Sequence, residues 1–357
     1  LSDIRHLLVE QILDAKSEGR KLEIVGHGSK QFLGRRSTGT KFFLDEHNGV
    51  VSYNPTELVI TVRAGTSIDV IDQVLSENGQ MLASDPPKFG GKGSIGGSLA
   101  CNLSGPGRPW CGSLRDSVLG VTIVDGNGQE LNFGGQVMKN VAGYDVSRLQ
   151  AGAMGCLGVI SEVSLKVMPR PDAMSTTVSI ICNPMDALKY INGLCGTSLP
   201  ITAACWESGK QYIRFQGAGS AVKKATLEVL RSRPESAQLD DGGLYWEALR
   251  DQSHPHFGSD GKVWRLSVGP TSEFGEFEPG ILDWGGAQRW INAPGRLENM
   301  VTHLKAGVGE ISIFRGGDGS EEVFHPMDEA RRKLHQRLKS AFDPDHLFNP
   351  GRLYGWL

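Results

Sequence analysis

Apolar residues recur at helical spacing near the start of the chain, where Ile4, Leu8 and Ile12 predict an amphipathic helix. The period then changes. Leu22-Glu23-Ile24-Val25 predicts a short strand, and it stops at Gly26-His27-Gly28-Ser29. Leu58 to Val62 predicts a buried strand. Ile68, Ile71, Val74 and Leu75 predict a helix face, with Thr66 or Ser67 placed to cap it and Gly79 to end it. Two runs, Leu119 to Val124 and Gln129 to Phe133, flank Asp125-Gly126-Asn127-Gly128 and predict a hairpin. Val163, Leu165 and Val167 alternate in a strand from Val159 to Val167, and Pro169-Arg170-Pro171 after it predicts a domain boundary.

The second half follows another rhythm. A strand at Thr177–Ile181 leads to Asn183-Pro184, a helix start, and Leu188, Ile191 and Leu194 continue that helix. Strands are predicted at Ile201–Trp206 and Gln211–Phe215, a helix from Ala221 to Leu230, and a strand where Trp264, Leu266 and Val268 alternate. This order implies an antiparallel sheet with helices. Asp240–Asp260, polar and glycine-rich, is expected to be a long loop. A last helix, Met327 to Phe342, places Leu334, Leu338 and Phe342 on one side. Its Arg331, Arg332, Lys333, Arg337 and Lys339 read as a solvated face or as a surface for an acidic partner.

Composition narrows the function classes. The chain has 357 residues, 39% hydrophobic and 22% charged, enough for two domains of typical size or one large one, with a packed core. A net charge of −3 argues against a general nucleic-acid binder. The apolar runs fall far short of the roughly 20 residues that span a bilayer, so no transmembrane segment is expected. The opening residues lack a charged-then-apolar leader pattern, which predicts no secretory signal. Six cysteines, with no C-x-x-C pair, predict reduced thiols in a cytoplasmic protein and no zinc or iron–sulfur site.

Glycine is the outlier: 47 residues, of which 17 fall among the 75 positions from 84 to 158, against an average of about 7%. Gly91-Lys92-Gly93-Ser94-Ile95-Gly96 is formally G-x-G-x-x-G. A Rossmann site needs an apolar strand before it and a helix after it. Here Pro86 and Pro87 precede it, and Ser98 to Gly107 are expected to form poor helix. No P-loop pattern occurs. Two separate loops fit a dinucleotide better. One is Val25-Gly26-His27-Gly28-Ser29-Lys30, after a strand; the other is Ser94-Ile95-Gly96-Gly97-Ser98, followed by Asn102 and Gly105. Each alone is compatible with a tight turn. Together they could turn successive amides toward a diphosphate.

This arrangement resembles the FAD-binding domain of the vanillyl-alcohol-oxidase or p-cresol-methylhydroxylase (PCMH) type. The matching segments are Gly26-His27-Gly28-Ser29, Ser94 through Gly105, Gly152 through Lys166 (with Gly155, Gly158, Val159 and Ile160), and a close at Phe342-Asp343-Pro344 and Asn349-Pro350-Gly351. Further segments resemble, more narrowly, the FAD-binding subunits of bacterial glycolate oxidases. These are Gly105 to Trp110, Gly112 to Asp116, Met138 to Leu149 and Asp283 to Trp290.

The resemblance implies an α+β fold. A two-lobed PCMH-type FAD domain would span 1–170, a smaller α+β domain with an antiparallel sheet 172–326, and a C-terminal helix and tail, 327–357, would return to the first domain. It implies FAD held by Val25, Gly26, His27, Gly28, Ser29, Ser94, Ile95, Gly96, Gly97, Ser98, Asn102, Gly105, Gly155, Gly158, Val159 and Ile160. Relatives that attach FAD covalently carry a G-G-H first loop; here Ser29 stands at that position, so non-covalent FAD is expected, with His27 a backbone donor. The implied activity is oxidation of glycolate to glyoxylate in a complex with a second FAD-containing subunit and an iron–sulfur subunit, cytoplasmic and touching the inner membrane only through partners. The alternative is a stand-alone flavin oxidase of another 2-hydroxy acid or alcohol.

A 2-hydroxy acid needs a cation for its carboxylate and a base for its hydroxyl proton. Arg108, Arg115 and Arg148 are candidates for the first, each equally readable as a structural ion pair. No His, Tyr or Glu set in the second half stands out as a base. This implies a subunit that holds FAD and contributes little to substrate chemistry.

Overall fold

A computed structural model describes residues 3–135, 144–258, 260–276, 278–304 and 309–357. The Met138–Gly143 part of one matching segment lies outside them.

The fold is α+β and is built on two large sheets and a small two-stranded parallel one. The first has the strands Val50–Asn54, Val59–Arg63, Val159–Pro169, Val118–Val124 and Glu130–Gly134 side by side in that order. Gln80–Leu82 pairs with the far end of Val159–Pro169. Every pairing in it is antiparallel. The helices Ile68–Ser76 and Ile95–Cys101 lie on this sheet, and Ile68, Ile71, Leu75, Ile95 and Leu99 bury against Ile60, Val62, Val121 and Val163. Ser67 caps the first helix, its hydroxyl accepting from the Val70 amide.

A smaller lobe joins the two chain ends. Helix Arg5–Ser17 buries Leu8 and Ile12 against strand Leu22–Val25, its parallel neighbour Thr40–Phe43, and Leu347 and Phe348. The Leu22 amide donates to Leu347 O, and the Asn349 amide donates to Leu22 O, so residues 347–349 run beside the first strand.

The second sheet has eight antiparallel strands. Their order is Ala237–Gln238, Ala173–Ile180, Lys210–Gly217, Ile201–Glu207, Ile281–Asp283, Gln288–Asn292, Val263–Val268 and Gly309–Arg315. The helices Pro184–Cys195 and Gly219–Ser232 cover one face, where Ile191, Val222 and Val229 meet Ile213 and Phe215. The opposite face turns toward the first lobes: Cys205, Trp290 and Phe314 share a core with Leu33, Leu103 and Met154.

Three expectations are corrected. Residues 240–260 are not one long loop: Gly242–Arg250 is a helix that buries Trp246 and Leu249. Trp246 anchors it by donating its indole N–H to Thr176 Oγ1 at 3.0 Å. The stretch beyond the G-x-G-x-x-G pattern does begin as helix. Ile95 and Leu99 bury fully, Ser94 accepts from the Gly97 amide, and Asn102 ends the helix at φ +47°. Finally, Lys339 does not lie on a solvated face. It is completely buried, while Leu334 is 56% exposed.

Candidate flavin site

The strand Leu22–Val25 stops where Gly26 begins, and residues 26–31 turn across its end. Their backbone N–H groups bond to no carbonyl or side chain among the described residues. The loop is half-buried to exposed apart from Lys30, so these donors are open to a ligand or to water. Gly28 adopts φ +73°, which a side chain would disfavour. The second loop comes up beside the first: a Cβ on Gly26 would collide with Ser94 Oγ. The Ile95 amide donates to Thr66 O and the Gly96 amide to Ala64 O, so this turn is fixed to the end of a sheet strand. A Cβ on Gly96 would lie 2.6 Å from Ala64 Cβ.

A third segment closes the cleft. Gly155 sits at φ +71°, where a Cβ would approach Asn349 Nδ2 at 2.6 Å. Asn349 ties three pieces together: its Oδ1 accepts from the Ile24 amide at 2.7 Å, and its Nδ2 donates to Met154 O at 2.6 Å. The cleft so formed has about 760 Å³ free of protein atoms, its solvent mouth included.

Of the residues expected to hold FAD, Val25, Gly26, His27, Gly28, Ser29, Ser94, Gly96, Gly97, Gly155, Gly158 and Ile160 line this cleft. Ile95, Ser98, Asn102, Gly105 and Val159 do not. Ile95 and Val159 are core residues, and Ser98 is fully buried within its short helix. Asn102 faces a neighbouring cavity. Gly105 is a packing point: its amide donates to Asp85 O at 2.6 Å, and its carbonyl accepts from the Trp284 indole at 3.0 Å.

The arginine candidates also fall elsewhere. Arg108 stacks on Trp284 at 4.6 Å. Arg148 pairs with Asp145 at 3.3 Å. Arg115 is exposed. None of the three lines the cleft. Cys111 is outside it too; its thiol donates to Gly107 O, and burial pushes it up to about 11.

Sequence reasoning missed two cations. Lys30 is 7% exposed, and among the described residues its partners are Ser29 Oγ at 3.3 Å and the Phe89 ring at 5.2 Å. Burial pulls its ammonium below the ordinary lysine range. Arg352, 9% exposed, donates to Lys30 O at 3.2 Å. Neither forms an ion pair with a carboxylate among the described residues. Both follow motifs already noted, the first loop and the Asn349-Pro350-Gly351 ending; that adjacency was the available signal. Unpaired amides, a glycine cradle that side chains would fill, and two cations without counter-ions fit a diphosphate with an attached ring system.

Residues 8–134 match the FAD binding domain family. Across its length the chain is 41% identical to glycolate oxidase subunit GlcE of Escherichia coli (strain K12), covering 99% of both proteins. It belongs to the GlcE family of glycolate oxidase subunits. A shorter match, 32% identity over 196 residues, covers 54% of the chain and 41% of glycolate oxidase subunit GlcD of Bacillus subtilis (strain 168). Among solved structures, p-cresol methylhydroxylase with substrate bound shares the fold, at a TM-score of 0.74 and 13% identity. That match covers 99% of this chain and 87% of the other. The chain is thus a PCMH-type flavoprotein and its cofactor is FAD.

Proposed function

We propose that this GlcE-family chain is the FAD-holding subunit of a complex that oxidises glycolate to glyoxylate. The observation that carries the proposal is the end-to-end 41% identity to the Escherichia coli subunit, combined with a cleft whose donors suit FAD. Bound FAD supplies acceptance of two electrons from the C–H bond of an α-hydroxy acid. The chain's own contribution is binding and orientation. Amides 26–31 with Lys30 and Arg352 hold the diphosphate, and the glycines at 26, 96 and 155 let backbone approach the cofactor. The FAD is non-covalent, since no histidine or cysteine stands after the first loop's last glycine. The partners are a second FAD-containing subunit, for which the GlcD likeness is the guide, and an iron–sulfur subunit that takes the electrons. The complex is cytoplasmic and meets the membrane peripherally. No helix among the described residues is long and apolar enough to cross one.

Affinity purification of the tagged chain from its native cell, with flavin and iron analysis, tests this. Expected are a second flavoprotein, non-haem iron and glycolate-dependent dye reduction in one fraction. A lone chain that oxidises glycolate at the full rate of the cell extract would establish a stand-alone oxidase instead.

A further inference from the structure

A second cavity opens beside the FAD cleft and shares Cys101 and Met154 with it. Its space, counted with its mouth, is about 910 Å³, within the range of small-molecule sites. One wall is the eight-stranded sheet. Strand alternation explains its chemistry. In Val263–Val268, Trp264 and Leu266 turn to the core beneath helix Leu297–His303, so Arg265 and Ser267 turn the other way. In Gly309–Arg315, Ile311 and Ile313 take the core face, so Glu310 and Ser312 share the face of Arg265. Arg265 is paired in register with Ser312, and Ser267 with Glu310. Four polar residues therefore form a patch on a sheet face that is otherwise apolar at Val263, Trp290 and Phe314.

The patch carries a guanidinium, that of Arg265, which lies over the Phe314 ring at 5.9 Å and has no carboxylate at ion-pair distance among the described residues. Arg265 Nε is buried without a hydrogen-bond partner among the same residues. Arg108 adds positive potential nearby, while Glu310 opposes it. Glu310 is at the exposed rim, 3.8 Å from Arg331. Opposite the sheet, Asn102 Oδ1 is buried and equally unpartnered. Ser312 is 8% exposed, and its hydroxyl bonds to no other described residue. His325 accepts from the Ile311 amide at Nδ1, which leaves the proton of its neutral ring on Nε2 as a further donor.

We infer that this cavity binds a small carboxylate, with Arg265 as the fork that holds it and Asn102 and Ser312 beside it. The identification of that acid as a two-carbon 2-hydroxy acid rests on the proposed function; the anion site itself rests on the cavity. A guanidinium suits a carboxylate because two parallel N–H groups match its two oxygens. Contact with the FAD cleft through Cys101 and Met154 puts such an acid at the edge of the cofactor's space. Substrate recognition is therefore built into this chain, through a residue of the second half and not through Arg108, Arg115 or Arg148.

Equilibrium dialysis with labelled oxalate, a non-oxidisable two-carbon acid, tests the site. It is run on the flavin-containing chain, with FAD content measured separately. Saturable oxalate binding displaced by glycolate is expected. Arg265→Met weakens it about 10- to 150-fold, the span of a lost charge-assisted hydrogen bond, at unchanged FAD content. Arg265→Lys, which keeps the charge and loses the fork, falls between, and Arg115→Met binds as the parent does. Absence of saturable binding, or equal binding by Arg265→Met and the parent, overturns the inference. A chain devoid of FAD would overturn the proposed function, and the oxalate result would still decide the site.

Discussion

Replacing Lys30 with Met separates the demands of folding from those of binding. In the protein without FAD, Lys30 is a nearly buried ammonium with no carboxylate beside it among the described residues. An unpaired buried charge opposes folding. Methionine has similar length, no charge and adaptable packing. The FAD-free Lys30→Met variant is therefore as stable as the parent or more so. FAD binding changes in the opposite direction, because the diphosphate loses a charge-assisted bond of about 1.5–3 kcal/mol. That weakens Kd roughly 10- to 150-fold. A pH series adds an independent check. Burial lowers the folded-state pKa of Lys30, so above that value the unfolded chain binds more protons than the folded one. Stability of the FAD-free protein then rises with pH until about 10.4, the ordinary lysine value. The Met variant lacks this rise. Urea melts of the FAD-free forms and titration by flavin fluorescence measure both sides. A variant destabilised by more than about 1 kcal/mol with unchanged FAD affinity would refute the role given to Lys30.

Two further perturbations probe buried charged groups outside the cleft lining. Burial pushes the Asp283 carboxyl up to about 7, so between about pH 4 and 7 the folded chain keeps a proton that the unfolded chain has released. Its contribution to stability is full below that window and is lost as pH rises through it; Asp283→Asn should flatten this part of a urea-midpoint series. Lys339 donates to Asp343 Oδ2, Cys156 O and Phe348 O at 2.7–2.8 Å. Lys339→Met leaves the buried Asp343 carboxylate, among the described residues, with the Leu347 and Phe348 amides as its hydrogen-bond donors. It should cost about 3–5 kcal/mol in urea melts, against less than about 0.5 kcal/mol for the exposed Lys333→Met.

Much of the first half was legible because its signals are local. The strand ending at Gly26, the Ser67 cap and the hairpin around Asp125–Gly128 each depend on neighbours in sequence. Strand and helix periodicities in 173–232 were equally readable. What escaped is decided by tertiary contact. Gly242–Arg250 looks like loop until Trp246 finds Thr176. Lys339 looks like one more surface lysine until Asp343 and two carbonyls surround it. Short strands such as Thr40–Phe43 and Ile281–Asp283 have too few residues to show a period. Ile95 and Val159 carry motif letters but serve the core, because a motif marks a stretch of backbone and not which side chains face the ligand. Arg108, Arg115 and Arg148 lie in the flavin half of the sequence, whereas Arg265 reaches the neighbouring cavity from the other sheet.

Acid precipitation of the purified chain, with FAD quantified in pellet and supernatant, tests the central claim most directly: amides of two glycine loops, aided by Lys30 and Arg352, hold FAD without a covalent bond. One FAD per chain, all of it in the supernatant, is the predicted result. A colourless chain, or flavin that stays with the precipitated protein, would contradict it.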